Sequence, residues 1–471
     1  MAFDWYRERL AAYANNIPRH SDSSDTVWKH LSYGGLSRAI RDSSSLINPR
    51  EVKTLTLAVR SDIDNPELRP PLILSFPRNF AEVNSVERII LGHVDLCWHP
   101  FPNRTQATLR VLCIQNLVES SSGFSSAIQI LDVLGLCPYL EEVILANIGQ
   151  VPEVQLPVKL NHLQNLRVLS SVSSIRNLLA NLEVPRSASV YLKTFLDMDE
   201  NWVKCLSLPP SHRFLPLLAV TSVVITSGGE RGGFIVEGFK SFAPCRINEL
   251  RAPGTHITIE VGYKDTKDIW LGSLTPTVRV GTNSLTQEAI LQFATPRRSE
   301  IAAKAIAQVP AVFERSQLHL IEIRCETSNP RITEADWKHL YTSFSSVQQF
   351  KISNIADTIN DSRTMHWHLW LSVLVPQVMS GELVYPTLRE LYLYGIHWDE
   401  GPINALYHAL KTRAGMHSKV HTLRIDFRNE KGAVPLDYCQ KLKWANVVDV
   451  FYFHKMQDAY GTELGPGFKD F

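Results

Sequence analysis

The chain has 471 residues, of which 44% are hydrophobic and 20% charged, with a formal net charge of +1. That composition supplies a large core and belongs to an ordinary globular protein. It excludes a strong overall field for drawing in nucleic acid or an anionic membrane surface, so neither partner is expected. No apolar run is long enough to cross a bilayer. Cysteines stand singly at 97, 113, 137, 205, 245, 325 and 439, without a C-x-x-C pair. Inside apolar phrases such as Leu112-Cys113-Ile114 they read as small buried hydrophobes of a reducing compartment. Met1–Leu10 is charged and aromatic, so no secretory leader is expected and the sequon at Asn103 goes unused. Cytoplasm or nucleus is the expected location.

In chain order, Phe3, Tyr6, Leu10 and Tyr13 form a short amphipathic piece ended by Pro18. Residues 19–26 are polar and read as a linker, and a second short helix is expected from Val27 to Ile40. Residues 1–45 thus form an N-terminal helical segment. A phrase then recurs: apolar, two variable, apolar, one variable, apolar. It reads Val52-Lys-Thr-Leu55-Thr-Leu57, Val86-Glu-Arg-Ile89-Ile-Leu91, Leu109-Arg-Val-Leu112-Cys-Ile114 and Leu140-Glu-Glu-Val143-Ile-Leu145. It returns from Leu318, Val347, Leu388 and Val420. This is the strand portion of a leucine-rich repeat.

Helical phrases lie between the strands. Ser126 is expected to cap a helix with the stripe Ile128, Leu131, Leu134, stopped by Pro138. Ser174 is expected to cap Ile175, Leu178, Leu179 and Leu182, stopped by Pro185. Thr333 caps a helix bearing Trp337, Leu340, Tyr341 and Phe344. Pro402 suits a first helical position ahead of Ile403, Leu406 and Leu410, with Gly415 as the stop. Strand then helix, repeated, implies parallel strands with helical crossovers.

The expected fold class is therefore α/β: a leucine-rich-repeat-like solenoid over residues 46–455, a curved parallel sheet with helices on the convex side, followed by a tail over 456–471. Leu55, Leu112, Leu145, Leu391 and Leu423 should point inward. Spacing is irregular: phrases begin 23 residues apart at Val86 and Leu109 and 41 apart at Val347 and Leu388. The stretch from about 189 to 310 carries the weakest pattern. Val220–Ile225, Ile247–Leu250 and the alternating His256–Val261 are its candidate strands. The asparagine that follows such phrases comes one position early, at Asn147 and Asn354.

From about residue 46 the chain resembles the fungal (basidiomycete-type) F-box/leucine-rich-repeat proteins. The resemblance rests on Pro138-Tyr-Leu-Glu-Glu-Val-Ile-Leu145, Leu156 through Leu169, Ile175 to Leu182, Val184 through Leu192, and Pro386-Thr-Leu-Arg-Glu-Leu-Tyr-Leu393 with Trp398. It implies a repeat array that holds a protein substrate. It also implies an N-terminal F-box that docks on a Skp-type adaptor of a cullin-RING ubiquitin ligase. The Leu-Pro-x-Glu phrase that opens an F-box is not legible in residues 1–45, so under this resemblance the segment is at most a remnant of the box. The adaptor is expected only where that box is present.

Catalytic and metal signatures are weak. His366 and His368 share a face on a strand but not on a helix, and have no acidic or cysteine neighbour in sequence. Gly228–Gly233 lacks the Lys-Ser/Thr of a phosphate loop, and Asp197, Asp199 and Glu200 read as a solvated turn. No cofactor, metal or catalytic residue is assigned. Three readings stay open: a protein-interaction solenoid acting as a ubiquitin-ligase substrate receptor, an orphan repeat scaffold, and an enzyme whose site is assembled from distant residues.

The candidate binding residues are the variable places of the C-terminal phrases, on the concave face: Glu322, Arg324, Gln349, Lys351, Glu390, Tyr392, Tyr394, Arg424 and Asp426. Tyrosine beside arginine is the composition of binding hot spots. An ordinary solvated sheet face is the competing reading. In the N-terminal phrases the same places are small or apolar: Thr54, Thr56, Ile90, Val111, Cys113 and Ile144.

Overall fold

The computed structural model describes residues 26–31, 53–59, 72–75, 86–92, 94–97, 103–115, 127–148, 151, 157–196, 203, 214–228, 233–240, 255–263, 306–313, 317–325, 333–354, 385–396, 400–427 and 443–455. The strands are, in chain order, β1 Thr26–Leu31, β2 Thr54–Val59, β3 Leu72–Ser75, β4 Arg88–Gly92, β5 Val94–Cys97, β6 Val111–Gln115, β7 Glu142–Ala146, β8 Val158–Lys159, β9 Asn165–Leu169 and β10 Leu182–Glu183. They continue as β11 Ser189–Leu196, β12 Ser222–Gly228, β13 Gly233–Phe239, β14 Thr255–Tyr263, β15 Leu320–Cys325, β16 Gln349–Asn354, β17 Glu390–Ile396, β18 Thr422–Phe427 and β19 Val450–Lys455.

Fifteen of these strands form one open sheet, in the order β1-β2-β4-β6-β7-β9-β11-β14-β13-β12-β15-β16-β17-β18-β19. The fold is mixed α/β with a mostly parallel sheet. Strands β3/β5 and β8/β10 make two small parallel pairs beside it.

The recurring phrase explains the register. One row of partners runs Leu55, Ile89, Leu112, Val143, Leu166, Val190, Ile257, Gly238, Val223, Ile321, Phe350, Leu391, Leu423, Phe451. Two residues on, Leu91, Ile114, Leu145, Val168, Leu192, Ile259, Val236, Ile225, Ile323, Ile352, Leu393 and Ile425 form a second row. These residues share one face because side chains alternate along a strand. Leu112, Leu145, Leu391 and Leu423 are fully buried, as the phrase requires. The side chain of Leu55 lies outside the described residues.

Helical residues close the same core. Leu131 and Leu134, Ile175, Leu178 and Leu179, Ile306 and Phe313, Trp337 and Leu340, and Leu406 and Leu410 belong to one apolar cluster with the strand rows. The helix Glu334–Ser343 opens on the expected Thr333 cap, which the structure extends to a capping box with Asp336. Thr333 Oγ1 accepts from the Asp336 N–H at 3.2 Å, and Asp336 Oδ2 accepts from the Thr333 N–H at 2.9 Å. The helix Ala127–Leu136 forms as expected; Ser126 lies outside the described residues.

Four expectations need correction. First, the sheet is not wholly parallel: β12, β13 and β14 form an antiparallel meander set in reverse order, so β11 pairs with β14 and β15 with β12. Only β13 runs backwards, so the parallel direction resumes on both sides. Gly238 of β13 falls in the first core row, and there the Val220 side chain takes the space: an added Cβ would meet Val220 Cγ2 at 2.9 Å. Glycine is required by this approach.

Second, Ser171 and not Ser174 caps the helix Val172–Ala180; its side chain accepts from the Ser174 N–H, and Ser174 is buried within the first turn. In a run of serines the cap falls where the chain leaves the extended region, here at φ −64°, ψ 157°. Third, the helix Glu400–Gly415 starts ahead of Pro402, which sits in its first turn where the missing N–H has no intrahelical partner to lose. Fourth, the helix expected from Val27 is a strand over Thr26–Leu31, aligned in parallel with β2. Its Thr-Val-Trp opening carries β-branched and aromatic residues suited to a sheet.

Candidate functional site

The face opposite the helices is set by the variable places of each phrase. Its middle row runs Ile90, Cys113, Ile144, Arg167, Tyr191, Thr258, Glu237, Val224, Glu322, Lys351, Tyr392, Arg424, Tyr452. Apolar from Ile90 to Ile144, it is polar from Arg167 onward apart from Val224.

All nine expected binding residues fall on this face, on four neighbouring strands. Glu322, Lys351, Tyr392 and Arg424 are aligned in the middle row. Gln349 and Glu390 pair on one side of it, and Arg324, Tyr394 and Asp426 lie two residues along on the other.

The residues are tied to one another within β15, β17 and β18. Arg324 Nε donates to Glu322 Oε1 at 2.7 Å, and the Tyr392 hydroxyl donates to Glu390 Oε2 at 2.8 Å. Arg424 Nε donates to both Asp426 oxygens, at 3.2 and 3.3 Å. Such pairs are geometrically natural, because residues i and i+2 of a strand share a face. Across strands, the Lys351 ammonium sits 5.0 Å from the centre of the Tyr392 ring, a cation–π distance. Burial, the Glu390 hydrogen bond and the Glu390 charge raise the Tyr392 phenol above its ordinary range, against the opposing pull of Arg424. It stays protonated and remains a donor.

The face is not the evenly solvated surface expected for exposed charges. Glu322, Arg324 and Asp426 are buried, and so are Lys193, Glu237, Ser222, Val224 and Phe239 in the centre of the sheet. Val224 and Phe239 form a small apolar cluster of their own, separate from the main core. The continuous run Val223-Val224-Ile225 is the sequence signal of a strand covered on both sides. Gln349, Lys351, Glu390, Tyr392, Tyr394 and Arg424 are half-buried. Towards the N-terminus, Ile90, Val111 and Ile144 are half-buried and Cys113 is buried.

One residue of the face escaped the sequence reading. Tyr452 on the last strand is 42% exposed and pairs with Arg424 in register. Its signal was present: Val448-Asp-Val-Phe451-Tyr-Phe453 repeats the apolar phrase. At the rim of the same strands, Asp449 accepts from Lys419 Nζ at 2.6 Å and pairs with His421 Nδ1 at 2.9 Å. These hydrogen bonds hold its carboxyl below the usual range.

Among the described residues no group of three or more His, Cys, Asp or Glu side chains is placed to hold a metal ion. His366, His368, Asp197, Asp199 and Glu200 lie outside the described residues, as does Ile247–Leu250. Gly228 and Gly233 are paired ends of the β12–β13 hairpin. No described helix is long and apolar enough to cross a membrane. No protein-family model and no curated protein matches the chain.

Proposed function

We propose that the chain is a leucine-rich-repeat-like solenoid, curved with its helices on the convex side, and that the open face of β15 to β19 holds a protein partner. The observation that carries this reading is the aligned row Glu322, Lys351, Tyr392, Arg424, Tyr452. Helices close the other face, so this side is where a stack of repeats can meet another molecule. Internal pairing fixes the side chains, and fixed aromatic and guanidinium groups lose little entropy on binding. The partner is a protein, with no nucleic acid, membrane or cofactor involved and no catalysis. Single cysteines, two of them buried free thiols, support the cytoplasm or nucleus.

Within this reading, resemblance to the F-box/leucine-rich-repeat proteins supports a substrate receptor of an SCF-type ubiquitin ligase, docking a Skp-type adaptor where an F-box is present. An orphan repeat scaffold is favoured by one observation: Thr26–Leu31 is a strand of the sheet and not an F-box helix. Co-purification of the whole chain with a Skp-type adaptor decides between the two. Recovery of a stoichiometric complex supports the receptor, and none supports the scaffold. Residues 1–60 alone are expected not to retain the adaptor. The face itself is tested by Tyr392→Ala/Tyr394→Ala in a folded chain: captured proteins should be lost, and an unchanged set removes the face from the account.

A further inference from the structure

The hydrogen-bond inventory of the proposed face points to the chemistry of its partner, and this inference rests on the reading of that face as a docking surface. Three carboxylates stand on β15, β17 and β18, and each already accepts from a neighbour: Glu322 from Arg324, Glu390 from Tyr392, Asp426 from Arg424. Glu322 and Asp426 are thus buried with their charges paired to arginines, and Glu390 is bonded through one oxygen to a neutral hydroxyl. The donors of β16 are different. Lys351 has an ammonium with three N–H groups, and its one contact among the described residues is the Tyr392 ring. Gln349, two residues earlier on the same face, has an amide with no side-chain hydrogen bond among the described residues. Both are half-buried, so a partner that covers them without supplying acceptors strands donors out of water. Lys351 is flanked by Tyr392 in register, with Arg424 and the exposed Tyr452 beyond it on the next strands. The row thus presents one available cation beside aromatic surface.

We propose that the face between β16 and β19 binds an acidic peptide segment, with a partner carboxylate seated on the Lys351 ammonium and apolar side chains against Tyr392 and Tyr452. The charges of Glu322, Arg324, Lys351, Glu390, Arg424 and Asp426 cancel. Selection therefore comes from close hydrogen bonding and not from long-range attraction.

The test uses the full chain and two fluorescein-labelled probes in a polarisation titration. One is a glutamate-rich peptide carrying single leucines, and the other has lysine in place of every glutamate. The acidic probe should bind and the basic probe should not. Lys351→Gln should weaken the acidic probe by about tenfold or more, the loss expected for a charge-assisted hydrogen bond. Lys351→Arg should retain binding, and Lys338→Gln, on the exposed side of the helix Glu334–Ser343, should leave it unchanged. No binding of the acidic probe, binding of the basic probe as tight or tighter, or indifference to Lys351→Gln overturns the proposal. The Tyr392→Ala/Tyr394→Ala comparison does not depend on probe charge. Failure here with that comparison intact removes the acidic partner alone, and failure of that comparison removes the face.

Discussion

Arg413, near the end of the helix Glu400–Gly415, donates from Nη2 to the Tyr385 carbonyl at 2.7 Å, and both side chains are sealed from solvent. Tyr385 holds φ at 47°, in the left-handed region that bulky side chains avoid. The bond fixes this turn just ahead of β17. Tyr385 packs edge-on against Tyr341 with ring centres 4.9 Å apart, and Tyr341 against Phe350 of the core row at 5.2 Å. Burial pushes the Arg413 guanidinium down to about 10, so it is still charged at neutral pH. The helix C-terminus favours that charge.

Arg413→Met should therefore cost about 1.5–3 kcal/mol, because it removes the charged donor from the Tyr385 carbonyl, which keeps only the Leu388 N–H at 3.0 Å. Urea unfolding measures the difference. A change below about 0.5 kcal/mol, the level of ordinary surface sites, would show that the turn stands without the arginine.

Leu145→Ala and Leu391→Ala should each cost about 2–5 kcal/mol, since each deletes packing in the continuous second or first core row. Thermal or denaturant unfolding checks this. Leu145 and Leu391 lie far apart along the sheet order, so their effects in the double variant should add.

The buried pair Glu322–Arg324 should show opposite single and double behaviour. Arg324→Met alone leaves a buried carboxylate and should cost about 3–5 kcal/mol. Glu322→Leu combined with Arg324→Met should recover most of that loss, because two apolar groups need no partner. A double variant as damaged as the two single losses added together would mean that the residues do not act as a pair.

The Cys137 thiol gives a pH prediction. Burial raises it from 9.0 to about 12. Between those values the unfolded chain releases this proton and the folded chain keeps it. The contribution is thus present below pH 9 and is lost as pH rises towards 12. Its slope approaches about 1.4 kcal/mol per pH unit. Cys137→Ala should flatten that part of the stability profile. In the native chain Cys137 should resist alkylation, as mass spectrometry of the labelled peptide reports, and react once unfolded.

Much of the sheet was legible because one phrase dictates both strand position and inward face: Val143, Leu145, Leu391 and Leu393 could be placed from spacing alone. The meander was not, because His256–Val261 fixes a strand and its faces but not its neighbour. Nothing local in Val220–Ile225 says that β14 will reach β11 first. Thr26–Leu31 was misread because six residues with Val27, Trp28 and Leu31 fit either periodicity. The face residues were legible by alternation, whereas their burial was not: alternation says which side a charge takes, not what lies over it. Glu322 with Arg324 and Arg424 with Asp426 were visible as i, i+2 pairs of opposite sign, a signal available in the sequence.

On this account the partner meets the chain on the sheet side, at β15 to β19. A photo-crosslinking amino acid in place of Tyr452, and separately in place of Lys338 on the exposed helical side, tests it most directly in the full chain. Crosslinks to a partner protein from position 452, absent or much weaker from position 338, are the predicted result. Equal crosslinking from both positions, or crosslinking from 338 alone, would contradict the account.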